Sequence, residues 1–350
     1  MENIMIDTCV YFKMIPYNNF VMKYGKENLD KFIERNIQKH INNKNEIDSF
    51  ISKDRPNFFN ENKNLEYNDI IVKYSKERIT NEVSRLGKKI AGWESLQNNP
   101  NVPDEKKKIL FQAIEQINKE IERYNAIDEK INNYKIEKQG IDCGEMYKKA
   151  VNDEIKLFTN TVSYSEVLEH SKMQDKTNWV YYPMEEILNM SKNMVSVVTT
   201  KSRQPFLKDE EKDFDKTLQM IEFLAKRYRR KTSNENESGM GKDINTLGDY
   251  GDSKIAAFAS MSGMTFVTIN GKDFVFNKDR GYDNEEIRNR INRINKTCPY
   301  ATDAQPITVE EFLSGDYKRP TKSNPMFKLS KTQKRKQDQR FVEEYEMQMQ

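Results

Sequence analysis

The chain has 350 residues, enough for one large domain or two ordinary ones with a substantial core. Its 58 Lys and Arg against 55 Asp and Glu leave a formal charge of +3, which excludes a uniformly basic surface built for non-specific nucleic-acid binding. Cys9, Cys143 and Cys298 form no CxxC pair, so neither a zinc ribbon nor a disulfide framework is expected, and a reducing, cytoplasmic setting fits.

Residues 3 to 6 read as a short buried strand ending at Asp7, and residues 8 to 23 carry helix-like or irregular apolar spacing. This start lacks a basic leader and a cleavage site, so no signal peptide is expected, and no segment reaches membrane-spanning length. Residues 27 to 43 predict an amphipathic helix with Leu29, Phe32, Ile33, Ile37 and Ile41 on one face. Asn and Lys then dominate to about residue 64, which reads as loop.

From 66 to 138 the apolar residues step by four and three: Ile79, Val83, Leu86, Ile90 and Trp93, then Leu110, Ile114, Ile117, Ile121 and Tyr124. Asn98 to Pro103 breaks one helix and starts the next with proline in its first turn. An antiparallel helical hairpin is expected, each arm spanning about 45 Å at 1.5 Å per residue. Its seam explains the packing, and its reach offers a surface for a protein partner.

Residues 145 to 156 read as a helix and Leu157 to Val162 as a strand; the next helix starts near Ser163 or Ser165, with Glu166 in its first turn. A strand at Trp179 to Tyr182 leads through Pro183 into a helix to about 197, and another helix covers 209 to 231. Ser233 to Gly241 is a polar linker; Gly251-Asp252 opens a small-residue helix, followed by a strand at Met264 to Thr268 and a loop at Ile269 to Phe274. Strands alternating with helices predict an α/β core around a parallel sheet.

In such a sheet, acids placed directly after strands converge outside the carboxyl ends although far apart in sequence. Asp7, Glu166 and Asp273 obey this rule, and Asp252 stands at a helix start just before a strand. Carboxylates gathered this way repel one another unless a cation intervenes. Hard oxygen donors select Mg²⁺ or Mn²⁺ over zinc, and such ions activate water against a phosphodiester.

Residues 4 to 10, with Asp7-Thr8-Cys9 after the strand, resemble the opening of PIN domains; Cys9 stands where that family has Asn or Ser. Val162 to Leu168 is similar to the family's second acidic motif, and Asp252 to Ala259 running on to Thr265 to Phe274 is similar to its third motif and terminal Asn-x-x-Asp-Phe. The likeness covers about 1 to 45, 145 to 197 and 243 to 313, with Ile307 to Leu313 like the closing segment.

This resemblance implies a PIN-like three-layer α/β/α fold with a central parallel sheet and an inserted hairpin. Residues 1–65 would form the first part of the core, 66–140 the hairpin, 141–313 the remainder with a helical insertion at about 200–240, and 314–350 a basic flexible tail. It implies that Asp7, Glu166, Asp252 and Asp273 are the catalytic metal-binding acids, with Thr8 and Asn270 holding water or phosphate. Asp249 competes for the third position and Glu169 for the second. The expected activity is Mg²⁺- or Mn²⁺-dependent endoribonuclease action.

Lys226, Arg227, Arg229 and Arg230, with Lys231 and the tail cations from Lys318 and Arg319 onward, would grip the RNA strand. A structure-selective DNA nuclease of the flap-endonuclease kind and an inactive PIN scaffold are the competing readings. Arg35 to His40 resembles the Arg-x4-His signature of HEPN ribonucleases, but the motif is short and His40 is expected to face solvent. His170 is likewise read as a surface histidine. Ser238 to Lys242 lacks the first glycine and the final Ser or Thr of a phosphate loop and reads as linker.

Overall fold

The computed structural model describes residues 2–170, 182–198, 224–225, 250–269, 291, 293–296, 298 and 301–320. The chain divides into two compact units, Met1–Asp30 with Asp142–Gln350, and Lys31–Ile141. Among the described residues no helix is long and apolar enough to cross a membrane.

The first unit is α/β. Strand β1 (Glu2–Ile6) is central in a five-stranded parallel sheet of order β3-β2-β1-β4-β5, the others being β2 (Ile155–Asn160), β3 (Val195–Val198), β4 (Thr265–Thr268) and β5 (Pro306–Thr308). Ile4 pairs with Leu157 on one side and Thr265 on the other. Successive residues Ile4, Met5 and Ile6 of β1 and all four residues of β4 are buried, because the middle of a parallel sheet covered on both faces has no solvent side. Met5 and Phe266 pack with Ile255, Ala257 and Phe258 of helix α9 (Tyr250–Ser262), while Ile4 and Ile6, also fully buried, alternate to the other face.

Helix α1 (Thr8–Tyr24) follows β1 directly. Helices α7 (Thr161–His170) and α8 (Met184–Asn193) lie between β2 and β3, and α10 (Val309–Ser314) follows β5 with a capping box between Thr308 and Glu311. Asp153 takes a positive φ of 58° where the chain leaves helix α6 (Asp104–Val151) for β2, a conformation Asp tolerates better than most residues.

The second unit is helical, built from residues of α2 (Leu29–Asp54), α3 (Phe58–Glu61), α4 (Tyr67–Tyr74), α5 (Thr80–Gln97) and α6. Ile79, Leu86, Ile117 and Tyr124 of the four-and-three repeat enter one core with Ile47, Ile51, Phe58 and Ile71. Residues 75–79 form a wide π turn between α4 and α5. Beside it Arg78 binds Asp54 through two bonds of 2.8 and 2.9 Å, Tyr74 donates to Asp54 at 2.8 Å, and Ser75 donates to Asp128. The Arg78 guanidinium holds the Asp54 carboxyl below the usual carboxylate range.

Several boundaries differ from expectation. Residues 44 to 54 are helical, not loop, because Ile47 and Ile51 extend the apolar face of α2; the helical unit therefore begins at Lys31 rather than 66. The separate helix expected at 145 to 156 is the end of α6, and β2 starts at Ile155. The helix expected to reach 197 stops at Asn193, and Val195–Val198 is an edge strand. His40 is buried, its ring stacked on Tyr134 at 4.3 Å with Nδ1 3.5 Å from a Glu137 oxygen, because α2 and α6 enclose it. The tail starts bound: Tyr317 donates to Glu2 at 2.9 Å, and Arg319 and Lys318 pair with Glu2 and Asp303 at 3.1 and 3.2 Å.

Two glycines of α6 separate helix propensity from packing. Alanine at either position would gain about 1 kcal/mol of propensity. At Gly140 an added Cβ meets nothing within 4 Å, whereas at Gly144 it would stand 2.4 Å from the ring of buried Tyr17. Thermal melting should therefore show Gly140→Ala at or above the parent and Gly144→Ala lower than Gly140→Ala by about 1–3 kcal/mol, the usual cost of overpacking. Equal stabilities would refute the packing of α1 on α6 described by Tyr17 and Gly144.

Candidate active site at the carboxyl end of the sheet

The strand order places a switch point at β1 and β4: the chain leaves β1 toward β2 and β3, then returns to build β4 and β5 on the other side. Clefts outside the carboxyl ends of strands open at such points. Asp7 stands there, directly after β1, in extended conformation as the N-cap of α1. Its Oδ1 accepts the Val10 N–H at 2.8 Å, its Oδ2 accepts the Thr268 hydroxyl from the end of β4, and its own N–H donates to the Val267 carbonyl at 3.3 Å. One carboxylate thus caps a helix and bridges two strands 261 positions apart in sequence.

Asp7 is only 3% exposed. Burial pushes its carboxyl up to about 6, and the nearby Glu166 adds to the rise; Thr268 and the Val10 and Cys9 amides work against it by bonding the charged form. The adjoining N-terminus of α1 also favours the anion. Thr8, also buried, donates its hydroxyl to Glu166 Oε2, and the Ser163 carbonyl lies 3.4 Å from the same hydroxyl. Glu166 is half-buried and sits in the second turn of α7, not the first, because the helix starts at Thr161 where β2 ends. Asn160, wholly buried at the end of β2, accepts the Ser163 N–H at 3.0 Å and so sets where α7 begins.

Of the four expected acids, the fold brings Asp7 and Glu166 together, linked by the adjacent Thr8. Asp252 lies in the first turn of α9; its side chain lies outside the described residues, as do Asp249, Asn270 and Asp273 entirely. Lys226, Arg227, Arg229, Arg230, the 209 to 231 helix beyond 224–225, and the 238 to 242 segment are outside them too. Glu169 and His170 belong to α7, with side chains not described. Among the described residues no group of three or more His, Cys, Asp and Glu side chains is placed to hold a metal ion.

Asp7 and Glu166 nevertheless suit a divalent cation. Two acids close enough for one to raise the other's pKa are relieved by a positive charge, and every carboxylate oxygen that accepts one hydrogen bond keeps a further lone pair. Sequence reasoning missed Thr268 and Asn160. Both end buried strands, and a polar residue closing an apolar run was the available signal. Comparison with family models, with curated proteins and with solved structures finds no match for this chain.

The charge on Asp7 opposes folding. Its folded pKa of about 6 lies above the ordinary 3.8, so the contribution is fully favourable below pH 3.8 and is lost as pH rises through 6. Asp7→Asn keeps the cap and removes the charge. In EDTA it should be more stable than the parent by on the order of 3 kcal/mol at pH 7 to 8, with the difference vanishing near pH 4. Denaturant titrations at these pH values test this, and an Asp7→Asn chain less stable at pH 8 than at pH 4, relative to the parent, would contradict the assigned burial.

Proposed function

We propose that the sheet-bearing unit is a PIN-like nuclease core acting as a Mg²⁺- or Mn²⁺-dependent endoribonuclease in a reducing, cytoplasmic setting. The observation carrying this reading is the buried Asp7 carboxylate at the β1 and β4 switch point, coupled to Glu166 through its neighbour Thr8. A protein that keeps an acid charged where charge is unfavourable gains from a cation there. The resemblance of the Asp7, Glu166, Asp252 and Asp273 segments to PIN motifs supports the same reading.

Asp7 and Glu166 would hold the ion, joined by Asp252 and Asp273 in the full set. A bound divalent ion supplies a water of lowered pKa and neutralises charge at the phosphate. The chain's own part is positional. Thr268 and the Val10 amide fix the two Asp7 oxygens, and Thr8 fixes one oxygen of Glu166, so the acids meet an ion with their rotamers already set. Thr8 and Asn270 would orient water or phosphate, and the cations at 226 to 230 would hold the RNA strand.

The helical unit Lys31–Ile141 would be an insertion in that core between α1 and β2, with a hydrophobic core of its own and an outer surface available to a protein or RNA partner.

Purified chain with Mn²⁺ should cut labelled single-stranded RNA, and EDTA should stop it. Asp7→Asn and Glu166→Gln should each lower the rate roughly a hundred-fold or more, beyond the loss typical of altered outer-shell partners. Mn²⁺ should raise the melting temperature of the parent and not of Asp7→Asn. Full activity in Asp7→Asn would overturn the assignment, and preferential cutting of flap DNA over RNA would redirect it to a DNA nuclease.

A further inference from the structure

Among the described residues, Ser163 is the one buried serine or threonine whose hydroxyl has no hydrogen-bond partner, and it is wholly buried. Its counterparts in the sheet-bearing unit are satisfied: Thr159 donates to the Ile6 carbonyl at 3.3 Å, Ser262 to the Ala259 carbonyl at 2.9 Å, Thr265 to Glu2 at 2.7 Å and Thr302 to the Ser260 carbonyl at 2.6 Å. Nor does α7 absorb the Ser163 hydroxyl through a backbone carbonyl one turn back, the usual local solution for a helical serine.

Backbone contacts fix its place at the candidate site. The Ser163 N–H donates to Asn160 Oδ1 at 3.0 Å, and the Ser163 carbonyl lies 3.4 Å from the Thr8 hydroxyl, which itself donates to Glu166. A serine side chain is short and cannot stray far from those contacts. Side chains lean toward a helix's N-terminus, which for α7 is the carboxyl end of β2, and Glu166 is the next-turn neighbour of Ser163 on the helix surface. The hydroxyl therefore belongs to the same end of the sheet as Thr8 and Glu166. Beside it Asn160, also wholly buried, finds for its amide nitrogen the Met5 sulfur at 4.0 Å, a weak acceptor.

Burying an unpaired hydroxyl is unfavourable, and alanine would suit the metal-free fold at least as well. Burial also selects the partner. A side chain with no exposed surface is closed to a phosphate group or a base and open only to water or a small ion. Small divalent ions held by few carboxylates keep part of their hydration shell, and that shell is oriented by polar groups around it.

We propose that Ser163 is an outer positioning residue of the Asp7 and Glu166 cation site, its hydroxyl hydrogen-bonding to the hydration shell of a bound Mg²⁺ or Mn²⁺. The proposal rests on the metal-dependent reading above and adds to it a residue outside the four acids.

The test is Mn²⁺ binding to the full-length chain, read from the loss of the free-ion electron paramagnetic resonance signal, with melting curves recorded in EDTA. Parent, Ser163→Ala and Ser163→Thr are compared. Removing an outer-shell partner lowers metal affinity about ten- to a hundred-fold. Ser163→Ala should show that loss while melting in EDTA at or above the parent, since the metal-free chain makes no bond through this hydroxyl. Ser163→Thr restores a hydroxyl and should bind Mn²⁺ more tightly than Ser163→Ala.

Unchanged Mn²⁺ affinity in Ser163→Ala would overturn the Ser163 assignment and leave the cation site standing. Weaker binding accompanied by a lower melting temperature in EDTA marks a structural hydroxyl and overturns it too, as does a threonine chain that melts with the parent yet binds no better than alanine. A parent that binds no Mn²⁺ overturns both this assignment and the metal-dependent reading.

Discussion

A single buried carboxylate ties this fold to its site. Asp7 ends the central strand, caps α1 through the Val10 amide and accepts the Thr268 hydroxyl from the neighbouring strand. These bonds lower the carboxyl's pKa, but burial outweighs them and leaves it near 6. Hydrogen bonds alone thus fall short of stabilising the anion, and the proposed divalent ion would supply the positive charge that does so.

The surrounding elements have roles that follow from this constraint. Asn160 fixes the start of α7 and so the position of Glu166, and Thr8 joins Glu166 to the β1 and α1 junction. The alternation of β1 sends Met5 to the α9 side and Ile4 and Ile6 to the other, so the strand that ends in Asp7 is locked on both faces. Asp7, Asn160 and Thr268, all buried, cluster at the carboxyl ends of β1, β2 and β4, where ligand clefts open in parallel sheets.

The strand and acid order was legible because β1, β2 and β4 each carry a short apolar stretch, Ile4–Ile6, Leu157–Phe158 and Phe266–Val267, followed directly by polar residues. The four-and-three repeat of Ile79 to Trp93 was legible for the same reason: periodicity reports one buried face. What escaped reading was set by partners. Strand Val195–Val198 fell inside a segment expected to be helical and Pro306–Thr308 is three residues long; both exist through pairing with β2 and β4. Residues 44 to 54 looked like loop because Asn and Lys outnumber Ile47 and Ile51, yet those two side chains decide the helix by filling the helical core. Thr268 could not be recognised as an Asp7 partner, since its role depends on strand order, which local sequence does not contain.

Diffraction from crystals grown with Mn²⁺, using the metal's anomalous signal, would locate an ion bound by Asp7 and Glu166. An ion is expected on oxygens of both Asp7 and Glu166 at the carboxyl ends of β1 and β2, at roughly the 2.0–2.2 Å typical of small divalent ions with oxygen donors. An anomalous map with no peak there, with both carboxylates keeping the hydrogen bonds described here, would contradict it.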